Sequence, residues 1–285
     1  MIYLTQFLFP DEAMETDFLW KVGNTCAYYP FRVLSAHGLE RIDFEPITIL
    51  YGGNGSGKST ALNVIADKTE AARESIYNQS AFYPDYVKMC RIPMLDKLPE
   101  NSKMITSDDV FDYMLNIRSL NEGIREKRKD VMKEYLDAKY SQFQMKSMAD
   151  YDRLKKVNQA RSKTQSKFVR SEVMEQVHEY SNGESAFRYF IEKIDGEGFY
   201  ILDEPENSLD PKHQLDLKSF IEDSARFFGC QFLISTHSPF LLSMKGAKIY
   251  NLDEKPAAVR KWTELENVRI YYDFFQTNRG DFSEF

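Results

Sequence analysis

Short apolar runs bounded by turn residues alternate with helical-period segments along most of this chain, and one long polar stretch interrupts the rhythm. Aromatic and β-branched residues crowd segments near 2–9, 26–34 and 39–44, broken by Pro10, Gly23-Asn24 and Gly38, and predict strands. Ile47-Thr48-Ile49-Leu50-Tyr51 is a short apolar run ending at glycines, the pattern of a buried parallel strand, and a helix is expected from Ser59 to about Lys68. Residues 70–107, interrupted by Pro84, Pro93 and Pro99, show no clear period. From Ser107-Asp108-Asp109 to about Val177 the chain has no proline and one glycine and is dense in Lys, Glu, Arg, Met and Leu, which predicts helices, with a capping residue ahead of Val110, Phe111 and Met114. Beyond residue 180, strands are expected at Phe199–Leu202, Cys230–Ser235 and Lys248–Leu252, with helices over 211–228 and Glu264–Phe275 and then a polar tail. This alternation predicts an α/β fold with a mainly parallel sheet, N-terminal β-strands and an inserted helical lobe. The expected division is 1–106 and 179–285 as two parts of one core, with 107–178 as the insertion.

The composition is that of an ordinary globular protein: 285 residues, 42% apolar and 28% charged. No run of eighteen apolar residues occurs, so no membrane insertion is expected. The first eight residues, Met1 to Leu8, lack the basic start and small-residue cleavage site of a signal peptide, and predict a first strand. Cys26, Cys90 and Cys230 lie far apart with no CxxC pair, which argues against a disulfide scaffold or zinc site and for thiols in a reducing cytosol. A cytoplasmic protein is therefore expected. The net charge of −7 gives no global attraction to nucleic acid or anionic lipid.

Gly52-Gly53-Asn54-Gly55-Ser56-Gly57-Lys58-Ser59-Thr60 matches GxxxxGK[ST], a pattern that arises by chance about once in a hundred chains of this length. An apolar strand precedes it and a helical pattern follows, the setting the motif requires. Its glycines let successive backbone N–H groups turn inward around phosphate oxygens, and the helix N-terminus adds partial positive charge. Lys58 is expected to reach the β- and γ-phosphates of ATP, and Ser59 to bind Mg²⁺ through its hydroxyl. Downstream, Phe199-Tyr200-Ile201-Leu202 ends in Asp203-Glu204-Pro205, and strand carboxyl ends are where ligands sit in parallel sheets. Asp203 is expected to hold Mg²⁺, and Glu204 to orient and deprotonate the attacking water.

At this point the sequence resembles the ABC-class ATPases, whose remaining motifs follow in order. Ser181-Asn182-Gly183-Glu184-Ser185 is similar to the family signature, with Tyr180, Asn182 and Glu184 departing from the usual LSGGQ. Ser208-Leu209-Asp210 resembles the D-loop, and Ser235-Thr236-His237-Ser238-Pro239 the switch region. The resemblance implies that Ser181, Gly183 and Asp210 serve the nucleotide of an opposing subunit and that His237 touches the γ-phosphate. It further implies a head-to-tail homodimer with ATP sandwiched between copies, weakened when hydrolysis removes the γ-phosphate. The resemblance covers 45–65 and 178–243 strongly and the rest loosely.

Ser-Thr-His-Ser-Pro-Phe-Leu-Leu, Glu184 and the segment Ala186–Phe190 look more like the SMC, RecF and OLD-type branch than transporter motors. Within it the chain resembles small stand-alone bacterial ATPases, many found in phage-defence or toxin-like gene pairs. Residues 146–170 carry eight Lys/Arg against two Asp; a solvated helix face and a nucleic-acid contact surface are both open readings. Gln79 is the nearest candidate for the glutamine that links nucleotide to the helical lobe, and Tyr28, Tyr29, Phe31 and Phe44 are candidate adenine-stacking aromatics. The function expected is an ATPase cycle that drives or gates a partner protein or nucleic acid. The alternatives are a transporter motor subunit and a slow ATP-gated switch.

Overall fold

Gln6–Leu8 (β1) and Arg41–Asp43 (β2) pair antiparallel, Phe7 opposite Ile42, in a computed structural model that describes residues 2–23, 28–93, 98–141, 151–173 and 182–282. Between them Glu12–Val22, for which no element was expected, is a helix, α1: the Asp11 side chain accepts from Met14 N (2.7 Å), Glu12 and Glu15 sit in the first turn, Lys21 in the last, and Gly23 follows. The described part of 26–34, expected as a strand, is not one. Phe31 N donates to Tyr28 O and Val33 N to Pro30 O, while the buried Glu15 carboxylate accepts from Arg32 N (2.6 Å) and Ser35 Oγ (2.8 Å). These bonds fold the segment into turns and bury Phe31 against Phe18, ring centroids 4.8 Å apart.

The main sheet has six strands: β3 (Ile47–Tyr51), β4 (Lys103–Thr106), β5 (Gly198–Asp203), β6 (Cys230–Ser235), β7 (Lys248–Asn251) and β8 (Ala258–Arg260). Their order is β4-β5-β6-β3-β7-β8, parallel throughout except for the antiparallel β7–β8 pair. Every residue of β3 and β6 is buried, as in parallel strands covered on both faces. Strands β4 and β8, at the two edges, fall where no strand was expected. Both are too short for a local period to register.

Helix α2 (Lys58–Lys68) follows β3 directly, with Leu62, Val64 and Ile65 fully buried. They share a core with Leu50, Phe199, Ile201 and Leu233 of the sheet and with Tyr83 and Tyr86 of α3 (Tyr83–Met89). Pro84, which obscured α3 in the sequence, occupies its first turn, where the missing N–H costs nothing. By strand alternation Ile49, Tyr200 and Phe232 face the other side.

The chain divides into two compact units, Met1–Phe111 with Asn182–Phe285, and Asp112–Ser181. Helix α4 (Ser107–Tyr140) starts at a reciprocal cap in which Thr106 N donates to Asp109 Oδ2 (2.7 Å) and Asp109 N to Thr106 Oγ1 (3.3 Å). In the second unit α4 is joined by α5 (Tyr151–Ser162) and α6 (Gln165–Glu172), with Val131, Tyr135, Ala160, Phe168 and Val169 forming its buried cluster. The rest of the first unit adds α7 (Asn182–Lys193), α8 (Pro211–Phe227), α9 (Pro239–Leu242) and α10 (Glu266–Thr277). Among the described residues no helix is long and apolar enough to cross a membrane.

Candidate active site

Parallel register brings the carboxyl ends of three adjacent strands together: Leu50 pairs with Ser235, and Ser235 with Asp203. The glycine-rich loop leaves β3 at this edge. A side chain at Gly57 (φ 90°) would place Cβ 2.9 Å from Leu34 Cδ2 and 3.2 Å from Val33 Cγ1, and one at Gly52 would come within 2.6 Å of Ser56 Oγ. The loop is therefore closed to any larger residue at both positions. Asn54, Gly55, Ser56, Lys58, Ser59 and Thr60 line a cavity of about 370 Å³ together with Glu204.

Lys58 is buried, and its Nζ lies 2.7 Å from Gly52 O, 3.3 Å from Gly53 O and 2.8 Å from His237 Nε2. Glu204 Oε1 is 3.7 Å from the same Nζ and 3.6 Å from His237 Nε2. One ring nitrogen cannot accept from Lys58 and donate to Glu204 at once, so its role at this point follows the tautomer of the ring. Facing His237, accepting from Asn207 Nδ2 (3.0 Å) and lying beside the Lys58 ammonium, the Glu204 carboxyl is held down at about 2 despite partial burial.

Ser59 Oγ lies 3.2 Å from Asp203 Oδ1, which also accepts from the Ser235 hydroxyl. Burial pushes the Asp203 carboxyl up, opposed by these two hydroxyl donors. Glu204 has left-handed backbone (φ 47°, ψ 55°), held by its N–H, which donates to Ser235 O (3.1 Å) and Oγ (3.0 Å). A non-glycine residue in that region marks stored strain, and here it turns the carboxylate toward Lys58.

The structure thus brings Gly52, Gly53, Lys58, Ser59, Asp203, Glu204 and His237 into one bonded cluster. Gly183 and Asp210 form a second. Asp210 caps α8 by accepting from His213 N (2.9 Å), and a Cβ at Gly183 would lie 3.0 Å from His213 Nδ1 and 3.5 Å from Asp210 Oδ2. Ser181 lies outside the described residues. So do 146–150 of the basic stretch, in whose described part Lys156 pairs with Glu134 (3.2 Å). Gln79 is exposed and donates to the Tyr77 hydroxyl. Phe31 and Phe44 are buried core residues, and Tyr29 donates its hydroxyl to Thr60 Oγ1 (3.2 Å).

Sequence reading assigned no role to four residues that shape this cluster. Ser235 touches Asp203, Asn207 holds Glu204, Glu206 accepts from His237 N (2.6 Å), and Asn267 donates to His237 O (2.8 Å). Ser235 was legible in principle, since it ends an apolar strand just before the histidine. Asn267, at the start of a helix far along the chain, carries no local signal.

A family model described as "ABC transporter" matches residues 41–207, more than half of the 285-residue chain. A second, described as "AAA domain, putative AbiEii toxin, Type IV TA system", matches 175–243. No curated protein matches the sequence. Among solved structures the chain is similar to the SMC head domain from Thermotoga maritima, at 10% identity and TM-score 0.40, covering 91% of this chain and 99% of that one. It is also similar to an Smc head with an extended coiled coil, bound to the C-terminal domain of ScpA and derived from Pyrococcus furiosus (12% identity, TM-score 0.38, 82% and 94% covered). A bacterial ABC transporter cassette solved as a dimer matches at 14% identity and TM-score 0.36, with 78% and 88% covered. The first family span runs from β2 through the loop that carries Lys58 to the turn after Glu204, and on that match the chain belongs to the ABC-class P-loop ATPases, enzymes that hydrolyse ATP.

Proposed function

We propose that this chain binds Mg-ATP in the loop Gly52–Thr60 and hydrolyses it as part of a sandwich of two copies. The observation that carries the reading is the meeting of Lys58, Glu204 and His237 at the end of the sheet, each within 3.7 Å of another. Loop N–H groups and Lys58 bind the β- and γ-phosphates. Glu204, ionised at neutral pH, accepts a hydrogen bond from the attacking water and takes its proton as the water oxygen bonds to the γ-phosphorus and ADP leaves. His237 donates to the γ-phosphate. Ser59 Oγ and Asp203 Oδ1, 3.2 Å apart, are a pair of hard oxygen donors suited to Mg²⁺, and the buried Asp203 charge favours a cation there. When bound, the ion neutralises charge on the phosphate oxygens.

Gly183 and Asp210, together with Ser181, serve the nucleotide of the opposing copy. What supports a composite site is that Gly183 and Asp210 meet around His213, at the start of α8, in contacts that do not include Lys58. The helical unit Asp112–Ser181, where Leu120, Met132, Leu136, Tyr140 and Tyr151 are exposed, is the surface through which the cycle reaches a partner protein or nucleic acid. In the SMC, RecF and OLD-like branch, such coupling would gate an effector encoded elsewhere.

The test is the solution mass of Glu204→Gln with and without Mg-ATP. The expected result is a monomer that becomes a dimer only with ATP. An unchanged mass overturns the sandwich and leaves the phosphate loop standing.

A further inference from the structure

The His237 side chain touches the phosphate-loop lysine, and both backbone polar groups of the residue are held. The N–H donates to Glu206 Oε1 at 2.6 Å, and the C=O accepts from Asn267 Nδ2 at 2.8 Å. The same Glu206 oxygen accepts from Ser238 N (3.2 Å), whose N–H is shared with Thr236 Oγ1 (3.0 Å). Glu206 sits in the turn directly after the metal and water carboxylates. Asn267 sits in the first turn of α10, and its own N–H donates to Tyr51 Oη at 3.2 Å. Tyr51 ends β3, one residue before the phosphate loop, and meets the His237 ring edge-on at 6.2 Å between centroids. Two elements distant in sequence, the turn after Glu204 and α10, therefore close on the backbone of one residue.

We infer that Glu206 and Asn267 are positioning residues for the hydrolysis, clamping the His237 backbone at its N–H and C=O so that its imidazole stays in line with Lys58 and the γ-phosphate. This deepens the proposed function and rests on its reading of His237. Neither residue touches the phosphate loop in the bonds described. Each acts through the histidine: Glu206 links it to the turn that carries Glu204, and Asn267 links it to α10 and β3. The Glu206 oxygen can serve the N–H only as an acceptor, and the side-chain amide of Asn267 can serve the carbonyl only as a donor. The chemistry of the two ends is thus fixed, and the isosteric variants behave oppositely. Glu206→Gln keeps an acceptor oxygen for the His237 N–H. Asn267→Asp turns the donor into an acceptor and sets it against the His237 carbonyl.

Misplacing a catalytic group by about an ångström costs about 10- to 100-fold in rate. Asn267→Asp and Glu206→Ala are therefore expected to lower kcat for Mg-ATP by that range while KM stays within about threefold, and Glu206→Gln to stay near wild type. Placed on His237→Ala, Asn267→Asp is expected to cause no further loss, because the group it positions is gone. With ¹³C-labelled histidine, the His237 ring resonance should be sharp in wild type and shifted or broadened in Asn267→Asp. Where His237→Ala lowers turnover, wild-type turnover in Asn267→Asp, or an equal loss with and without His237, overturns the clamp. If His237→Ala itself turns over normally while Asn267→Asp still disturbs the ring resonance, the clamp stands and the assigned role of His237 falls. An unchanged resonance overturns the clamp whatever the kinetics.

Discussion

The Lys58 ammonium lies 2.8 Å from His237 Nε2, although 179 residues separate them in sequence. Gly52 O and Gly53 O accept from the same buried ammonium. Lys58→Met keeps the volume and removes the charge and all three contacts. The expected outcome is a fall in ATP turnover of about 100-fold or more, the loss typical of deleting one group that stabilises transition-state charge. Phosphate release measures it. Turnover within threefold of wild type would place Lys58 away from the γ-phosphate.

Glu204 predicts a specific acid dependence. Its carboxyl is held down at about 2 in the folded chain, against an ordinary value of 4.5, so it contributes stability that is present above pH 4.5 and lost as pH falls toward 2. Because the carboxyl is partly exposed and screened by solvent, the contribution is about 1 kcal/mol. The stability difference between wild type and Glu204→Gln should therefore be constant from pH 8 to 5 and shrink below that, by urea unfolding. A difference unchanged at pH 3 would show that His237 and Lys58 do not favour the ionised form.

The left-handed backbone at Glu204 separates a chemical from a conformational effect. Glycine adopts φ 47° freely and alanine does not, so Glu204→Gly should be more stable than Glu204→Ala by about 1 kcal/mol, although both lack the carboxylate. Both should lack turnover. Equal stability would mean that the turn relaxes once the side chain is removed.

Gly183→Ala probes the second cluster. Its Cβ would lie 3.0 Å from His213 Nδ1, tight enough to shift that ring and the Asp210 cap. Folding and ATP binding by a single copy should persist. On a Glu204→Gln background, the ATP-dependent dimer should need about tenfold more protein to form, a loss of about 1.4 kcal/mol. Unaltered dimerisation, read by light scattering, would remove Gly183 from the interface.

How much of this was legible depended on whether a signal was local. The run Ile47–Tyr51, the glycine loop and the acids after Leu202 are each written in consecutive residues, because a buried parallel strand must be apolar and a phosphate cradle must be glycine-rich. The region before the loop was misread for the converse reason. Aromatics near 26–34 suggested a pleated strand, but Phe31 faces inward because Glu15, on the helix α1 capped by Asp11, folds the following turn.

By itself, then, the sequence determined the class of the fold, the order of its central strands and helices, and which side chains are candidates for phosphate and carboxylate chemistry. Those properties depend on residue type and short spacing. The tertiary structure alone decided which of these side chains meet. It placed Asp203 beside Ser235 through the register of two parallel strands and sent Glu206 and Asn267 to the backbone N–H and C=O of one histidine. It also gave the edge positions to β4 and β8. Such partners are chosen by packing between distant segments, and a hydrogen bond across many residues leaves no periodicity to read.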